Sequence, residues 1–204
     1  MTDGLFVWVP KVAGTSIYKY LHPYGCVKLK SEERARTFNN SGLVTFGHLS
    51  PTALKTSGIV AEEFLNNAFK FAFVRNPFDR LVSFYVYKLQ KRKKPVSFEQ
   101  LCNGLDNIAP IGLYNSVGWS QARPQSDWLF DEDRCVVDFV GRYENLQSDF
   151  DFVCDQLNVP TSTLPKKNVT KHKPYEQYYT PELADKVFKY YYRDFVNFGY
   201  KGEL

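Results

Sequence analysis

Leu5-Phe6-Val7-Trp8-Val9-Pro10-Lys11-Val12-Ala13-Gly14-Thr15-Ser16-Ile17-Tyr18-Lys19-Tyr20-Leu21 is the stretch that decides the fold class. Its first five residues form a short, unbroken apolar run, the pattern of a strand covered on both faces. Pro10 to Ser16 interrupts that run with a glycine and two hydroxyls, and Ile17 to Leu21 can continue as a helix. The segment reads strand, loop, helix. Gly14 lets the backbone come close to a ligand, while the amides of Gly14, Thr15 and Ser16 at a helix N-terminus point toward an anion. Lys11 and the hydroxyls of Thr15 and Ser16 add donors beside Val12 and Ala13.

Working outward, residues 43–46, 70–74 and 136–140 are further short runs rich in Val, Leu and Phe, with helical stretches between them. This alternation predicts an α/β chain: three layers, with a central parallel sheet flanked by helices and ligands at the carboxyl ends of the strands. Asn76 caps a predicted helix that has Pro77 at its first position, Asp79 in its first turn and its end at Leu89. Leu146, Phe150, Val153, Cys154 and Leu157 keep one apolar stripe at helical spacing. Thr180, Pro181 and Glu182 open a last helix whose Leu183, Val187, Tyr190 and Tyr191 face inward before Gly199 ends it.

A chain of 204 residues with 44% hydrophobic and 17% aromatic composition buries a full core, and a single domain over 1–204 is expected. The net charge of +4 is too small for a dedicated nucleic-acid binder but suits an anionic ligand. No apolar run approaches the roughly 20 residues that cross a bilayer, and residues 1–9 carry no export signal. A soluble, cytoplasmic protein with no membrane partner is the expectation; oligomeric state is not legible. Cys26, Cys102, Cys135 and Cys154 form no CxxC pair and have no histidine cluster near them, so reduced thiols and no metal are expected.

A Walker A loop places its lysine directly before a Ser or Thr, whereas Lys11 lies three positions ahead of Gly14. ATP hydrolysis is thereby disfavoured. The order Pro-Lys-x-x-Gly-Thr-Ser instead resembles the 5'-phosphosulfate loop of sulfotransferases dependent on 3'-phosphoadenosine-5'-phosphosulfate (PAPS), in particular the carbohydrate and heparan-type, family 2-like branch. A second segment, Arg75-Asn76-Pro77-Phe78-Asp79-Arg80-Leu81-Val82-Ser83-Phe84-Tyr85, resembles the 3'-phosphate motif RxPxxRxxSxY of the same family. About sixty residues separate the two, as the resemblance requires for two phosphate sites flanking one nucleotide, and residues 138–146 and 194–200 echo the family further. The resemblance implies a P-loop-like fold and PAPS as sulfuryl donor. It assigns Lys11, Val12, Ala13, Gly14, Thr15 and Ser16 to the donor's 5' end and Arg75 and Ser83 to its 3'-phosphate. Arg80 then braces the turn.

His48 follows Gly47 just past the run at 43–46, where a histidine can take a proton from an acceptor hydroxyl. A similar Gly-His segment supplies the base in glycan 2-O-sulfotransferases. Glu144 is a rival. Arg123, Gln125 and Ser126 resemble a polar segment facing the acceptor in related enzymes. Residues 103–133, rich in Gly, Pro, Asn and Ser, either line the acceptor site or form a surface excursion anchored by Trp119 and Trp128. The basic residues 166–173 either close over an anion or are a solvated loop, and Lys88, Lys91, Arg92, Lys93 and Lys94 complement a helix C-terminus.

The resemblance implies in-line sulfuryl transfer to a hydroxyl of a carbohydrate acceptor, with His48 as base, Lys11 stabilising the leaving phosphate and no metal required. Two other classes stay open: a nucleotide or small-molecule kinase, because strand-loop-helix phosphate sites are widely shared, and a non-catalytic module binding PAPS or anionic glycans.

Overall fold

Strand β1 (Gly4–Val7) is buried over its whole length and lies at the middle of a five-stranded sheet. The computed structural model describes residues 2–89, 93–108, 118–165 and 173–204. In chain order β1 is followed by α1 (Gly14–Leu21), β2 (Val27–Lys28), α2 (Glu32–Ala35), β3 (Leu43–Thr45), α3 (Pro51–Ser57), α4 (Glu62–Asn67) and β4 (Phe69–Val74). Helices α5 (Pro77–Lys88), α6 (Phe98–Asn103) and α7 (Ser126–Leu129) come next. Strands β5 (Phe130–Asp131), β6 (Arg134–Cys135) and β7 (Phe139–Arg142) precede α8 (Leu146–Leu157), α9 (Pro181–Tyr190) and α10 (Tyr192–Phe198). Two compact units divide these elements, one comprising residues 1–74 and 127–168, the other residues 75–126 and 169–204.

The first unit carries the sheet, in the order β2-β3-β1-β4-β7 with every neighbouring pair parallel. All carboxyl ends therefore share one edge, and β1 lies between β3 and β4 there. Buried aromatic side chains hold the sheet together: Phe6 stacks on Phe71 with ring centroids 5.2 Å apart, and Phe73 meets Phe150 of α8 at 6.5 Å. The apolar stripe expected for α8 is observed, with Phe150, Val153, Cys154 and Leu157 buried and Leu146 half-buried.

Strand limits moved where the chain turns out of the sheet. β1 ends at Val7, not Val9, because the amide of Val9 bonds back to the carbonyl of Val7 at 3.1 Å and bends the backbone away. The run expected at 136–140 pairs only from Phe139: Val136 is still tied to Leu129 at 2.9 Å beside the β5–β6 hairpin, and Asp138 begins the contact with Lys70 at 2.8 Å.

The second unit is helical. Asn76 caps α5 as expected, its Oδ1 accepting from the amides of Phe78 (2.9 Å) and Asp79 (3.5 Å). Phe78, Leu81, Val82 and Phe84 of α5 are buried against Leu101 and Cys102 of α6, Val187 of α9 and Phe195 of α10. Thr180 caps α9, its Oγ1 accepting from Leu183 at 3.3 Å, but the single helix expected from 180 to 199 breaks at Tyr191 (φ −98°, ψ 18°). Tyr191 is fully buried there and its hydroxyl donates to the carbonyl of Ala122. Gly199 closes α10 in the left-handed conformation the stop signal requires (φ 63°).

Candidate active site

The loop after β1 is built on a strained backbone. Lys11 (φ 70°) and Ala13 (φ 63°), neither of them glycine, both lie in the left-handed region, which costs roughly 1 kcal/mol or more at each and survives only where packing enforces it. Ala13 is the N-cap of α1, which has neither a capping side-chain hydrogen bond nor an acid in its first turn, so no group of the helix itself offsets the positive end of its dipole. The amide of Ser16 bonds to the carbonyl of Ala13 at 2.8 Å, so Ser16 would meet an anion with its hydroxyl, and the amides of Gly14 and Thr15 precede the helix's own ladder.

Gly14 serves a purpose the sequence did not show. A Cβ at this position would lie 1.9 Å from Nε1 and 2.3 Å from Cδ1 of Trp8, so the missing side chain makes room for the indole. Gly14→Ala is expected to destabilise the fold by about 1–3 kcal/mol through overpacking, read as a lower midpoint in thermal unfolding. An unchanged midpoint would show that the indole moves aside freely.

Trp8 also sets the histidine. Gly47 (φ 65°) turns the chain past β3, and Nδ1 of the half-buried His48 lies 2.6 Å from the carbonyl oxygen of Trp8. A carbonyl only accepts, so Nδ1 carries the proton and the lone pair of the neutral ring is on Nε2. Nε1 of Trp128 donates to the carbonyl of His48 at 2.9 Å, which holds the backbone of the same residue. This anchoring role of Trp128 was one of the two readings open for residues 103–133, of which 109–117 lie outside the described residues. Glu144 is exposed on the turn after β7, two strands from β1, whereas His48 follows the immediate neighbour β3.

In the second unit Arg75 directly follows β4 and is 7% exposed. Its Nε and a terminal nitrogen each lie 2.7 Å from Oδ2 of Asp79, the first-turn acid of α5. Ser83 is one helical turn beyond Asp79, on the same face, and is buried. Arg80 is buried and donates to the carbonyls of Gln121 (3.2 Å) and Arg123 (2.5 Å), so it braces the 121–123 segment rather than its own turn.

The polar segment expected to face the acceptor is largely turned inward. Gln125 and Ser126 are fully buried. The side-chain amide of Gln125 accepts from the amide of Arg75 and donates to its carbonyl, both at 2.9 Å, clamping that residue's backbone. Asp194 of α10 in turn accepts from the amides of Gln125 (2.7 Å) and Ser126 (2.8 Å) and from the hydroxyl of Ser126 (2.8 Å). Burial pushes the Asp194 carboxyl up, and Arg80 and these hydrogen bonds pull it back. Arg123 is half-buried and donates to the carbonyl of Ile108 at 3.1 Å. Asp194 falls within the family echo at 194–200, and its pairing across 69 residues leaves no local pattern to read. Of the basic stretches, residues 166–172, Lys91 and Arg92 lie outside the described residues.

The model of the sulfotransferase family 2 domain, described as "Sulfotransferase family", matches residues 5–201. This chain belongs to that family. Carbohydrate sulfotransferase 14 of Danio rerio is 24% identical over 224 residues, which cover 96% of this chain and 59% of that relative's length. The chain therefore spans well under two thirds of the curated relative it matches. Among solved structures, a sulfotransferase from Alicyclobacillus acidocaldarius superimposes with a TM-score of 0.54 at 16% identity, covering 96% of this chain and 94% of its own. Mouse sulfotransferase SULT7A1 complexed with PAP gives 0.57 at 12% identity, covering 96% and 84%. These two establish the shared fold of this sulfotransferase family member: the central parallel sheet flanked by helices with a P-loop-like turn after β1. Among the described residues of the family member, no helix is long and apolar enough to cross a membrane.

Proposed function

We propose that the chain transfers a sulfuryl group from PAPS to a hydroxyl of a carbohydrate acceptor. The observation that carries this reading is the placement of His48 at the carboxyl end of β3, beside the loop of β1, with Nδ1 held by the Trp8 carbonyl at 2.6 Å and its basic nitrogen thereby assigned to Nε2. The donor set fits PAPS: a lysine, two hydroxyls and an uncapped helix N-terminus for the 5' end, and a buried arginine with a serine for the 3'-phosphate.

When bound, PAPS supplies an activated sulfuryl group on its 5'-phosphate. His48 takes the acceptor's hydroxyl proton on Nε2 as the new oxygen–sulfur bond forms. The bond from sulfur to the phosphate oxygen breaks in line, and Lys11, with the hydroxyls of Thr15 and Ser16, neutralises the charge left on that oxygen. Arg75 and Ser83 fix the nucleotide, so alignment rather than covalent help from the protein lowers the barrier. Gln125 and Asp194 hold Arg75 in place, and acceptor contacts from this segment fall to Arg123.

Calorimetry with 3'-phosphoadenosine-5'-phosphate (PAP), ATP and adenosine-5'-phosphosulfate tests the donor assignment. Selective binding of PAP is expected, and a preference for ATP would instead favour a kinase. Arg75→Ala is expected to weaken PAP by about 10²-fold while changing the affinity for 5'-AMP only a few-fold, because a lost charge-assisted contact is felt only by the ligand that bears the 3'-phosphate. Equal losses for both nucleotides would remove Arg75 from the 3'-phosphate site.

A further inference from the structure

Arg75 is held at both ends. Its amide donates to Oε1 of Gln125 and its carbonyl accepts from Nε2 of the same side chain, both at 2.9 Å, so the backbone on either side of its Cα is fixed. At the far end of the side chain, Nε and Nη2 converge on one oxygen, Oδ2 of Asp79, each at 2.7 Å. The Arg75 and Asp79 side chains are only 9% and 18% exposed, so water screens this pair little. Asp79 is placed in turn by α5: its amide lies 3.5 Å from Oδ1 of the cap residue Asn76, and the buried Ser83 follows one helical turn later.

On charge grounds alone a carboxylate is out of place here. A site for a phosphate dianion gains from a cation, and Asp79 offsets the charge of Arg75 where a phosphate would meet it. The effect of Asp79 that favours binding is order. Arginine is among the side chains that lose most rotamer freedom when they are fixed, and a ligand that has to impose the fixed geometry binds more weakly by that amount. One oxygen that accepts from both Nε and Nη2 sets the plane of the guanidinium and turns its Nη1–Nη2 edge away from the carboxylate. That edge is a two-pronged donor of the shape a phosphate accepts.

On the sulfotransferase reading above, we infer that Asp79 is a positioning residue for the 3'-phosphate site: it holds the Arg75 guanidinium in the orientation the phosphate meets. The preference for a 3'-phosphorylated nucleotide therefore depends on where the Asp79 oxygen lies and not on its charge. Asp79 acts through Arg75 and does not touch the nucleotide. As the acid in the first turn of α5 it also complements the helix dipole, but that contribution to stability is the same whichever nucleotide is bound.

The test is the ratio of the affinities for PAP and 5'-AMP, measured by calorimetry on the wild type, Asp79→Asn and Asp79→Glu. The asparagine amide keeps an accepting oxygen in the same place without the charge, whereas glutamate keeps the charge and carries its oxygens one methylene farther out. Asp79→Asn is expected to keep the wild-type ratio or exceed it, and Asp79→Glu to lower it about tenfold with the affinity for 5'-AMP unchanged. That unchanged affinity also shows that the variants are folded. A ratio lost in Asp79→Asn makes charge the operative property and overturns the positioning role, and so does a ratio kept in Asp79→Glu. Wild-type protein that binds PAP no more tightly than 5'-AMP overturns the 3'-phosphate reading itself, a failure visible before any variant is compared.

Discussion

Lys11→Ala is expected to lower kcat by about 10²–10³-fold while the dissociation constant for PAP stays within a few-fold of wild type. The reason lies in when the lysine's charge is needed. In the bound donor the negative charge of the 5' end is already spread over sulfate and phosphate oxygens; as the sulfur–oxygen bond breaks, charge concentrates on the departing phosphate oxygen. A cation aimed there contributes most in the transition state. The backbone of Lys11 is held at φ 70° in a loop whose other left-handed residue caps α1, so the direction in which the side chain leaves the backbone is set by the fold. Single-turnover measurements with labelled donor separate this from a binding defect. A Lys11→Ala protein with wild-type turnover would dismiss the loop as the transfer site, and one with normal kcat but weak PAP binding would reduce Lys11 to a ground-state contact.

The second large effect is that of His48→Ala, for which a fall in kcat of about 10²–10⁴-fold is expected, with PAP binding retained. The loss should be partly restored by adding imidazole, because the cavity left by the ring admits a small base next to the Trp8 carbonyl that held Nδ1. Rescue distinguishes a proton acceptor from a residue that merely braces the turn after β3. No rescue together with a lowered unfolding midpoint would assign His48 a structural role through its links to Trp8 and Trp128. An unaffected rate would move the base to another group, and Glu144 would be the next to replace.

Both predictions concern residues that a linear reading already singled out, because each stands just past an apolar run that marks a strand. A buried parallel strand shows as an unbroken apolar run, and the loop and helix that follow it occupy consecutive positions. The Asn76 cap, Pro77 and Asp79 likewise lie within four residues of each other, so the start of α5 was legible from side-chain chemistry alone. The α8 stripe was legible for the same reason, since burial on one helix face repeats at fixed spacing. Where the chain leaves the sheet was less legible: Val9 is as apolar as Val7, and only the hydrogen bond between them decides that the strand stops.

Local chemistry in the sequence was thus enough to determine the α/β class and to mark the loop after β1, Arg75, Ser83 and His48 as candidates. The tertiary structure decided what those residues rest on. Gly14 is required by an indole six residues earlier, and the tautomer of His48 by a carbonyl forty residues away. Gln125 and Ser126, expected from the resemblance to face the acceptor, are buried because their hydrogen bonds are satisfied by Arg75 and Asp194 at separations of fifty residues or more. The division has one physical cause: propensity, capping and periodicity act over a few residues and leave a record in the sequence, whereas burial and the pairing of polar groups depend on which distant segments the sheet order brings together.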